Sequence, residues 1–178
     1  MKIIKEDLFK LTFEGCFDII AHGLNCFCTA PYSGIAYHFE NFFRISEYGY
    51  EQKVFEKKFN KLGNLEFKDK YIHKITRQII DKASYDKTII KDMYYKVQVT
   101  NAYTQYKPGA DLNKIALLMC FTKLSHYCNE NNLKLGIPLI GGGIAGGNPL
   151  EIKSFMEQSF KNIDATLVVT PEIYEIIK

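Results

Sequence analysis

The chain has 178 residues, 47% of them hydrophobic, and a formal net charge of +3. That length suffices for one well-buried core, so we expect a single domain over residues 1–178. Among the 23 basic residues only Arg44 and Arg77 are arginines, and the lysines are dispersed. This disfavours nucleic acid as a partner, because nucleic-acid-binding proteins use arginine for bidentate contacts to bases and phosphates.

The N-terminal third predicts a strand, a polar tip, a small-residue loop and a helix. Residues 17–21 form an apolar run typical of a buried strand, and His22, Gly23 and Asn25 follow it. After the loop "CFCTAPYSG", apolar residues at helical spacing predict a helix that begins after Gly34. Its apolar face consists of Ile35, Phe39, Phe42 and Phe43. A second amphipathic helix is expected in "EQKVFEKKFNKLG".

The middle of the chain predicts strands and then one long helix. Between residues 64 and 96, short alternating segments rich in Tyr, Ile, Thr and Val indicate strands or a hairpin beside the main sheet. The segment "YYKVQVTNAYTQY" predicts a strand that ends in polar residues. "DLNKIALLMCFTKLSHYCNENN" predicts a helix with Asp111 as its N-cap. The apolar face assigned to it is Leu112, Ile115, Leu118, Met119, Thr122 and Tyr127.

Near the C-terminus, the run "GIPLIGGGIAGGNPLE" contains a G-x-G-x-x-G pattern. A strand in "LKLGIPLI" precedes it, and a helix with Asn148 as N-cap and Pro149 at its first position follows it. Glycines before a helix N-terminus favour phosphate binding. A dinucleotide fold would also need an acidic residue about 20 positions further on and several more strands, and only one strand, "ATLVVT", remains. We therefore set that interpretation aside and predict no cofactor.

Neither membrane nor metal binding is indicated by the sequence. No apolar stretch approaches the roughly 18 residues of a membrane span, and "MKIIKEDLFK" lacks the apolar core of a signal peptide, so we expect a cytoplasmic protein with no membrane partner. The five cysteines include no C-x-x-C pair, and Cys26-x-Cys28 beside His22 has no second pair at zinc spacing. We expect free thiols and no metal site.

Alternating strands and helices predict an α/β fold, with helices on both faces of one sheet in a three-layer αβα sandwich. Both glycine-containing loops join the carboxyl end of a strand to the start of a helix. They are therefore expected at the same rim of the sheet, where α/β proteins bind ligands. Two phosphate-binding loops side by side indicate a diphosphate.

Three segments together resemble the macrodomain, an ADP-ribose-binding fold. They are "DLFKL…GCFDIIAHGLNCF…SGIA", "VTNAYTQY" and "IPLIGGGIAGGN", in that order and over nearly the whole chain. The branch that processes ADP-ribose 1″-phosphate is the most similar in appearance. The resemblance implies a macrodomain-like mixed sheet, with ADP-ribose or ADP-ribose 1″-phosphate as the ligand.

Site residues follow from the resemblance. Asp7 and Leu8 would lie at the adenine end, and Asn25 would bind the distal ribose. The first diphosphate loop would be Ser33, Gly34, Ile35 and Ala36. The second would be Gly141, Gly142, Gly143, Ile144, Ala145 and Gly146.

Two residues carry the catalytic hypothesis that the resemblance implies. His22 would act near the distal ribose as a general acid/base or as a phosphate-binding group, and Asn148 stands where several catalytic relatives have aspartate. The expected activity is hydrolysis of ADP-ribose 1″-phosphate to ADP-ribose and phosphate. Two alternatives stay open: a non-catalytic ADP-ribose-binding module, and a hydrolase that removes ADP-ribose from modified macromolecules.

Overall fold

The computed structural model describes residues 1–27, 33–45, 59–81 and 92–178. Three sequence predictions lie wholly or partly outside them: the path of the loop through 28–32, most of the second amphipathic helix, and residues 82–91 of the middle segment. Of that helix, the described part is a turn of 3-10 helix at Phe59–Lys61.

The described residues contain seven strands, all in one mixed sheet. They are β1 (Lys2–Lys5), β2 (Ile19–Asn25), β3 (Leu65–His73), β4 (Ile79–Asp81), β5 (Tyr94–Gln105), β6 (Leu135–Ile137) and β7 (Ala165–Val169). Their order across the sheet is β1-β7-β6-β2-β5-β3-β4. The first five in that order are parallel, and β3 and β4 form an antiparallel hairpin on β5. The carboxyl ends of five adjacent strands consequently lie at one edge.

Five α-helices cover the sheet in the described part of the chain. They are α1 (Leu8–Phe13), α2 (Gly34–Phe43), α3 (Lys114–Asn131), α4 (Pro149–Ser159) and α5 (Pro171–Ile177). The side chains of β2 alternate between the two faces, as the two-residue period of a strand requires. Ile19 and Ala21 pack in the cluster that contains α3, α4 and α5, whereas Ile20 packs with α1 and α2. The predicted three-layer αβα sandwich is thus confirmed.

The predicted N-terminus and apolar face of α3 are both wrong. The N-cap is Asn113, whose Oδ1 accepts from the Ala116 N–H at 2.9 Å, while Asp111 accepts from the Lys107 N–H. The buried face consists of Ala116, Leu117, Cys120, Phe121, Leu124 and Cys128. Ile115, on the predicted face, is 72% exposed. The helix is apolar around much of its circumference, so spacing alone does not identify the side that packs on the sheet.

Other predicted elements are confirmed. β6 ends before Pro138, and α4 begins at Pro149 with Asn148 as its N-cap, accepting from the N–H groups of Leu150 and Glu151. The polar tip after the first predicted strand is itself part of β2, which extends to Asn25. No helix in the described residues is both long and apolar enough to cross a membrane.

Candidate ligand-binding site

A cavity of about 350 Å³ opens at the carboxyl edge of the parallel strands, a volume typical of small-molecule sites. The ends of β5, β2, β6 and β7 form its floor, and the two glycine-containing loops form its sides. Of the predicted ligand residues, the walls include Asn25, Ser33, Gly34, Ile35, Ala36, Gly141, Gly142, Gly143, Ile144 and Ala145. The topology thus brings together two segments separated by more than a hundred residues.

The first loop presents the start of α2 without a side-chain cap. Ser33 is the N-cap residue, with extended backbone (φ −158°), and its hydroxyl makes no capping hydrogen bond. The first N–H groups of a helix have no intrahelical acceptors. Among the described residues, those of Gly34, Ile35 and Ala36 have no acceptor and can donate to a ligand. In contrast, side chains cap the other four helices of the described chain. The missing cap is at the cavity.

The second loop turns tightly and exposes consecutive backbone N–H groups. Gly142 N–H donates to the Leu139 carbonyl at 3.1 Å, and Gly146 N–H donates to the Gly143 carbonyl at 2.9 Å. Within the described residues, no acceptor is found for the N–H groups of Gly143, Ile144 and Ala145. Successive unpaired N–H groups in a turn form an anion-binding concavity.

The two loops touch across the cavity because Gly34 has no side chain. Gly34 has φ +64°, a left-handed conformation that favours glycine, and a Cβ there would lie 3.1 Å from Ile144 Cδ1. Gly141, with φ +90°, similarly needs glycine, since a Cβ would lie 2.9 Å from Leu112 Cδ1. The close approach of Gly34 to Ile144 brings the two rows of N–H groups to opposite sides of one cavity.

Polar side chains from the strand ends complete the walls. Asn25 Oδ1 accepts from the Phe27 N–H at 3.0 Å, which leaves its Nδ2 amide group without an acceptor among the described residues. Gln105 Nε2 donates to the Gly109 carbonyl at 2.6 Å. The remaining wall residues were missing from the predicted site: Gly23, Leu24, Thr104, Gln105, Pro108, Gly109, Pro138, Leu139, Ile140, Val168, Val169, Thr170 and Ile173. Their position at the carboxyl ends of parallel strands is the signal that could have identified them.

Comparison with known proteins places this arrangement in a structural context. No family model matches the chain. The "Uncharacterized 17.5 kDa protein in tk-vs intergenic region" of Enterobacteria phage T4 is 28% identical over 171 residues, 94% of this chain and 95% of that protein.

Among solved structures, the macrodomain of Thermus aquaticus DarG superposes with a TM-score of 0.60 at 14% identity, over 95% of this chain and 96% of that one. Thermosipho africanus DarTG in complex with ADP-ribose gives a TM-score of 0.65 at 12% identity, over 96% of this chain and 41% of DarTG. This chain has the macrodomain fold.

Within the macrodomain fold, His22 lies in the sheet interior and not on the cavity wall. It is fully buried, its Nε2 is 2.9 Å from Asn101 Oδ1, and its ring stacks on Phe39 with centroids 4.3 Å apart. Burial lowers the pKa of His22 to about 4, and the hydrogen bond with Asn101 only partly opposes this. His22 is therefore neutral at pH 7.

The other predicted residues outside the cavity walls have contacts of their own. Asp7 Oδ1 caps α1, accepting from the N–H groups of Phe9 (2.7 Å) and Lys10 (3.1 Å), and Leu8 is buried in the α1–α2 layer. Asn148 Oδ1 caps α4. Gly146, the last residue of the second loop, has φ +79°. Neither Asp7 nor Asn148 lines the cavity: Asp7 follows β1, which pairs with β7, and Asn148 follows the second loop.

The described walls of this macrodomain-fold cavity contain no side chain that titrates near neutral pH. Every described wall residue is apolar, glycine, proline, hydroxyl-bearing or amide-bearing. Likewise, no group of three or more His, Cys, Asp or Glu side chains suited to a metal ion occurs among the described residues. Chemically, these walls can bind a polar anion through backbone dipoles, but they offer no group to accept or donate a proton.

Proposed function

We propose that this chain binds ADP-ribose, or a derivative such as ADP-ribose 1″-phosphate, in the cavity at the sheet edge. One observation carries the proposal: unpaired backbone N–H groups from two loops line the same cavity. Two such rows suit a diphosphate, whose two phosphates each need several donors. The complex of Thermosipho africanus DarTG with ADP-ribose supports the choice of ligand.

The strand order supports an orientation for the ligand. Asp7 follows β1 at one end of the edge and Asn25 ends β2, with β7 and β6 between them. At about 4.8 Å per strand, the two residues are separated by roughly 14 Å across the sheet. In the proposed complex, the adenine amine donates to Asp7, the diphosphate lies between the loops, and the Asn25 amide donates to the distal ribose. Asp7 keeps acceptor capacity because a carboxylate has about four acceptor positions, and its cap uses two.

The lack of titratable groups in the described walls favours binding without rapid turnover. General acid–base catalysis contributes roughly 10²–10⁴-fold, and it needs a group that exchanges a proton near the operating pH. Phosphatase action on the 1″-phosphate, and removal of ADP-ribose from macromolecules, would have to proceed without that contribution. We therefore expect weak phosphatase activity at most.

Calorimetric titration with ADP-ribose and with AMP tests the binding proposal. We expect a micromolar dissociation constant for ADP-ribose, roughly −7 to −9 kcal/mol, and much weaker binding of AMP, which occupies neither the second phosphate position nor the ribose end. Equal affinities for the two ligands would contradict the role of the paired loops.

Phosphate release from ADP-ribose 1″-phosphate tests the catalytic alternative in wild type, Asn148→Asp and His22→Ala. If a carboxylate at position 148 can act as the base, Asn148→Asp raises turnover at least about tenfold. The helix N-cap is preserved, because Asp and Asn cap about equally well. Brisk wild-type turnover that disappears in His22→Ala would instead assign the chemistry to His22.

A further inference from the structure

A second cavity, of about 600 Å³, lies at the opposite end of α2 from the ADP-ribose cavity. It is lined by Phe13, Asn41, Phe42, Phe43, Arg44, Lys70, Arg77, Ile79 and Asp81. We call it the arginine pocket. The N-terminal residues of α2 line the first cavity and its C-terminal residues line this one. The nearest lining residues, Ala36 and Asn41, are about 8 Å apart along the helix.

Both arginines of the chain converge on the arginine pocket. Arg44 ends α2 and Arg77 lies in the turn of the β3–β4 hairpin, 33 positions later. Arg44 has φ +48° and Arg77 has φ +60°, in the left-handed region that few non-glycine residues adopt. The two arginines of the chain, each with an unusual backbone conformation, thus line one pocket.

Neither guanidinium has a carboxylate partner within the described residues. Arg77 interacts with the Tyr95 hydroxyl. That hydroxyl is neutral at pH 7, because burial raises the pKa of Tyr95 to about 12. The third cation, Lys70, forms an ion pair with Asp81. The lining residues therefore carry two uncompensated positive charges, against about half a negative charge from the carbonyl end of α2.

Aromatic rings form the apolar wall of the arginine pocket. Phe13 and Phe42 pack edge to face, with ring centroids 5.5 Å apart, and Phe42 remains 44% exposed. Phe42 was expected on the buried face of its helix. Its exposure leaves ring surface beside the two guanidinium groups, where a planar group attached to an anion can pack.

We propose that the arginine pocket is a second ligand site, for a phosphate group attached to a planar ring. Guanidinium forks match phosphate oxygens, and the exposed Phe42 ring accepts the planar part of the ligand. The site is independent of the ADP-ribose cavity, since the two have no lining residue in common.

Phenyl phosphate is the probe that tests this proposal, with a tryptophan reporter at Phe42. The chain contains no tryptophan, so Phe42→Trp gives a fluorescence signal from the arginine pocket alone. Titration in the presence of saturating ADP-ribose should give a saturable change. Adding Arg44→Gln and Arg77→Gln to the reporter should weaken binding at least tenfold. Inorganic phosphate should bind at least threefold more weakly than phenyl phosphate.

The matched control adds Lys114→Gln and Lys161→Gln to the reporter. It removes the same formal charge from exposed positions outside the pocket and should change affinity less than twofold. Calorimetry of the wild type and Arg44→Gln/Arg77→Gln repeats the comparison without the tryptophan, and melting curves check folding. The proposal is overturned if neither method detects saturable binding, if the arginine variant binds as well as the control, or if ADP-ribose abolishes the signal.

Discussion

The two ends of α2 offer anions two different kinds of site. At the N-terminal end, the described walls of the cavity present backbone N–H groups and no titratable side chain. At the C-terminal end, the arginine pocket presents two guanidinium charges on flexible side chains. Backbone dipoles are fixed in direction and act over a few ångströms, whereas full charges act over longer distances. We therefore expect the first site to select ligands by shape and the second to select them by charge.

The difference also determines how each site can be disabled. Backbone donors survive every substitution except one to proline, which has no N–H. Most substitutions can therefore block the first cavity or repel its ligand, but they do not remove its donors. Guanidinium groups can be deleted individually.

A carboxylate at position 143 should abolish ADP-ribose binding. A Cβ on Gly143 would have no described atom within 4 Å, so Gly143→Glu should fold normally. Like charges about 4 Å apart near a protein surface repel by roughly 4 kcal/mol, which corresponds to about a thousandfold weaker binding by calorimetry. Gly143→Gln, of the same size but neutral, should lose far less. Equal losses would indicate steric blocking, and unchanged binding of ADP-ribose to Gly143→Glu would mean that the diphosphate lies elsewhere.

Acid should destabilise the fold through His22, which packs beneath the middle of α2. Because the folded-state pKa is about 4 and the usual value is 6.5, the unfolded chain takes up the proton first as the pH falls. The neutral His22 ring contributes about 3 kcal/mol to the free energy of unfolding. This contribution is present in full above pH 6.5 and is lost progressively as the pH falls to 4. Urea unfolding across this range should show a shallower pH dependence for His22→Gln than for wild type.

His126→Gln is the control for the acid experiment, because His126 is an exposed residue on α3. It should follow the wild-type curve. A His22→Gln curve parallel to wild type would show that the imidazole does not titrate with folding.

Salt concentration should affect ligand binding differently at the two ends of α2. Raising the ionic strength from about 0.1 to about 1 M shortens the screening length from about 10 to about 3 Å. Phenyl phosphate binding at the arginine pocket should weaken about tenfold, and ADP-ribose binding less than about threefold. Matching slopes in a plot of affinity against salt would remove the distinction between the two sites.

Replacement of Asn25 by alanine should have the smallest effect on ADP-ribose affinity. Asn25→Ala should weaken ADP-ribose binding by about 1 kcal/mol, roughly fivefold, through loss of amide hydrogen bonds to the distal ribose. AMP, which lacks that ribose, should bind unchanged. Asn25→Asp keeps the acceptor for the Phe27 N–H but replaces the amide donor with a negative charge, so it should weaken ADP-ribose binding more than Asn25→Ala does. A loss shared equally by both ligands would indicate a structural role.

Local signals were sufficient for much of the fold and for the two loops. Pro138 ends β6, Asn148 and Pro149 begin α4, and glycines stand where the second loop has positive φ. Each of these features depends on residues within a few positions in sequence, so a pattern can reveal it. Strand-loop-helix order then places both loops at one rim.

Long-range packing accounts for what the sequence did not reveal. The pairing of β1 with β7 joins residues more than 160 positions apart, and no local pattern encodes it. The buried face of α3 depends on which side meets the sheet. His22 belongs to the strand interior because β2 extends further than its apolar run. Arg44 and Arg77 line the same pocket because the β3–β4 hairpin lies against the C-terminal end of α2.

The missing cap of α2 links occupancy of the cavity to the order of the helix itself. A good N-cap side chain stabilises a helix by about 1 kcal/mol, and Ser33 does not supply that bond. In the proposed complex, the phosphate oxygens would take the place of the capping side chain. Amide hydrogen exchange in the first turn of α2 should therefore be fast without ligand and slow with it, while the side-chain-capped first turn of α4 exchanges at the same rate in both states.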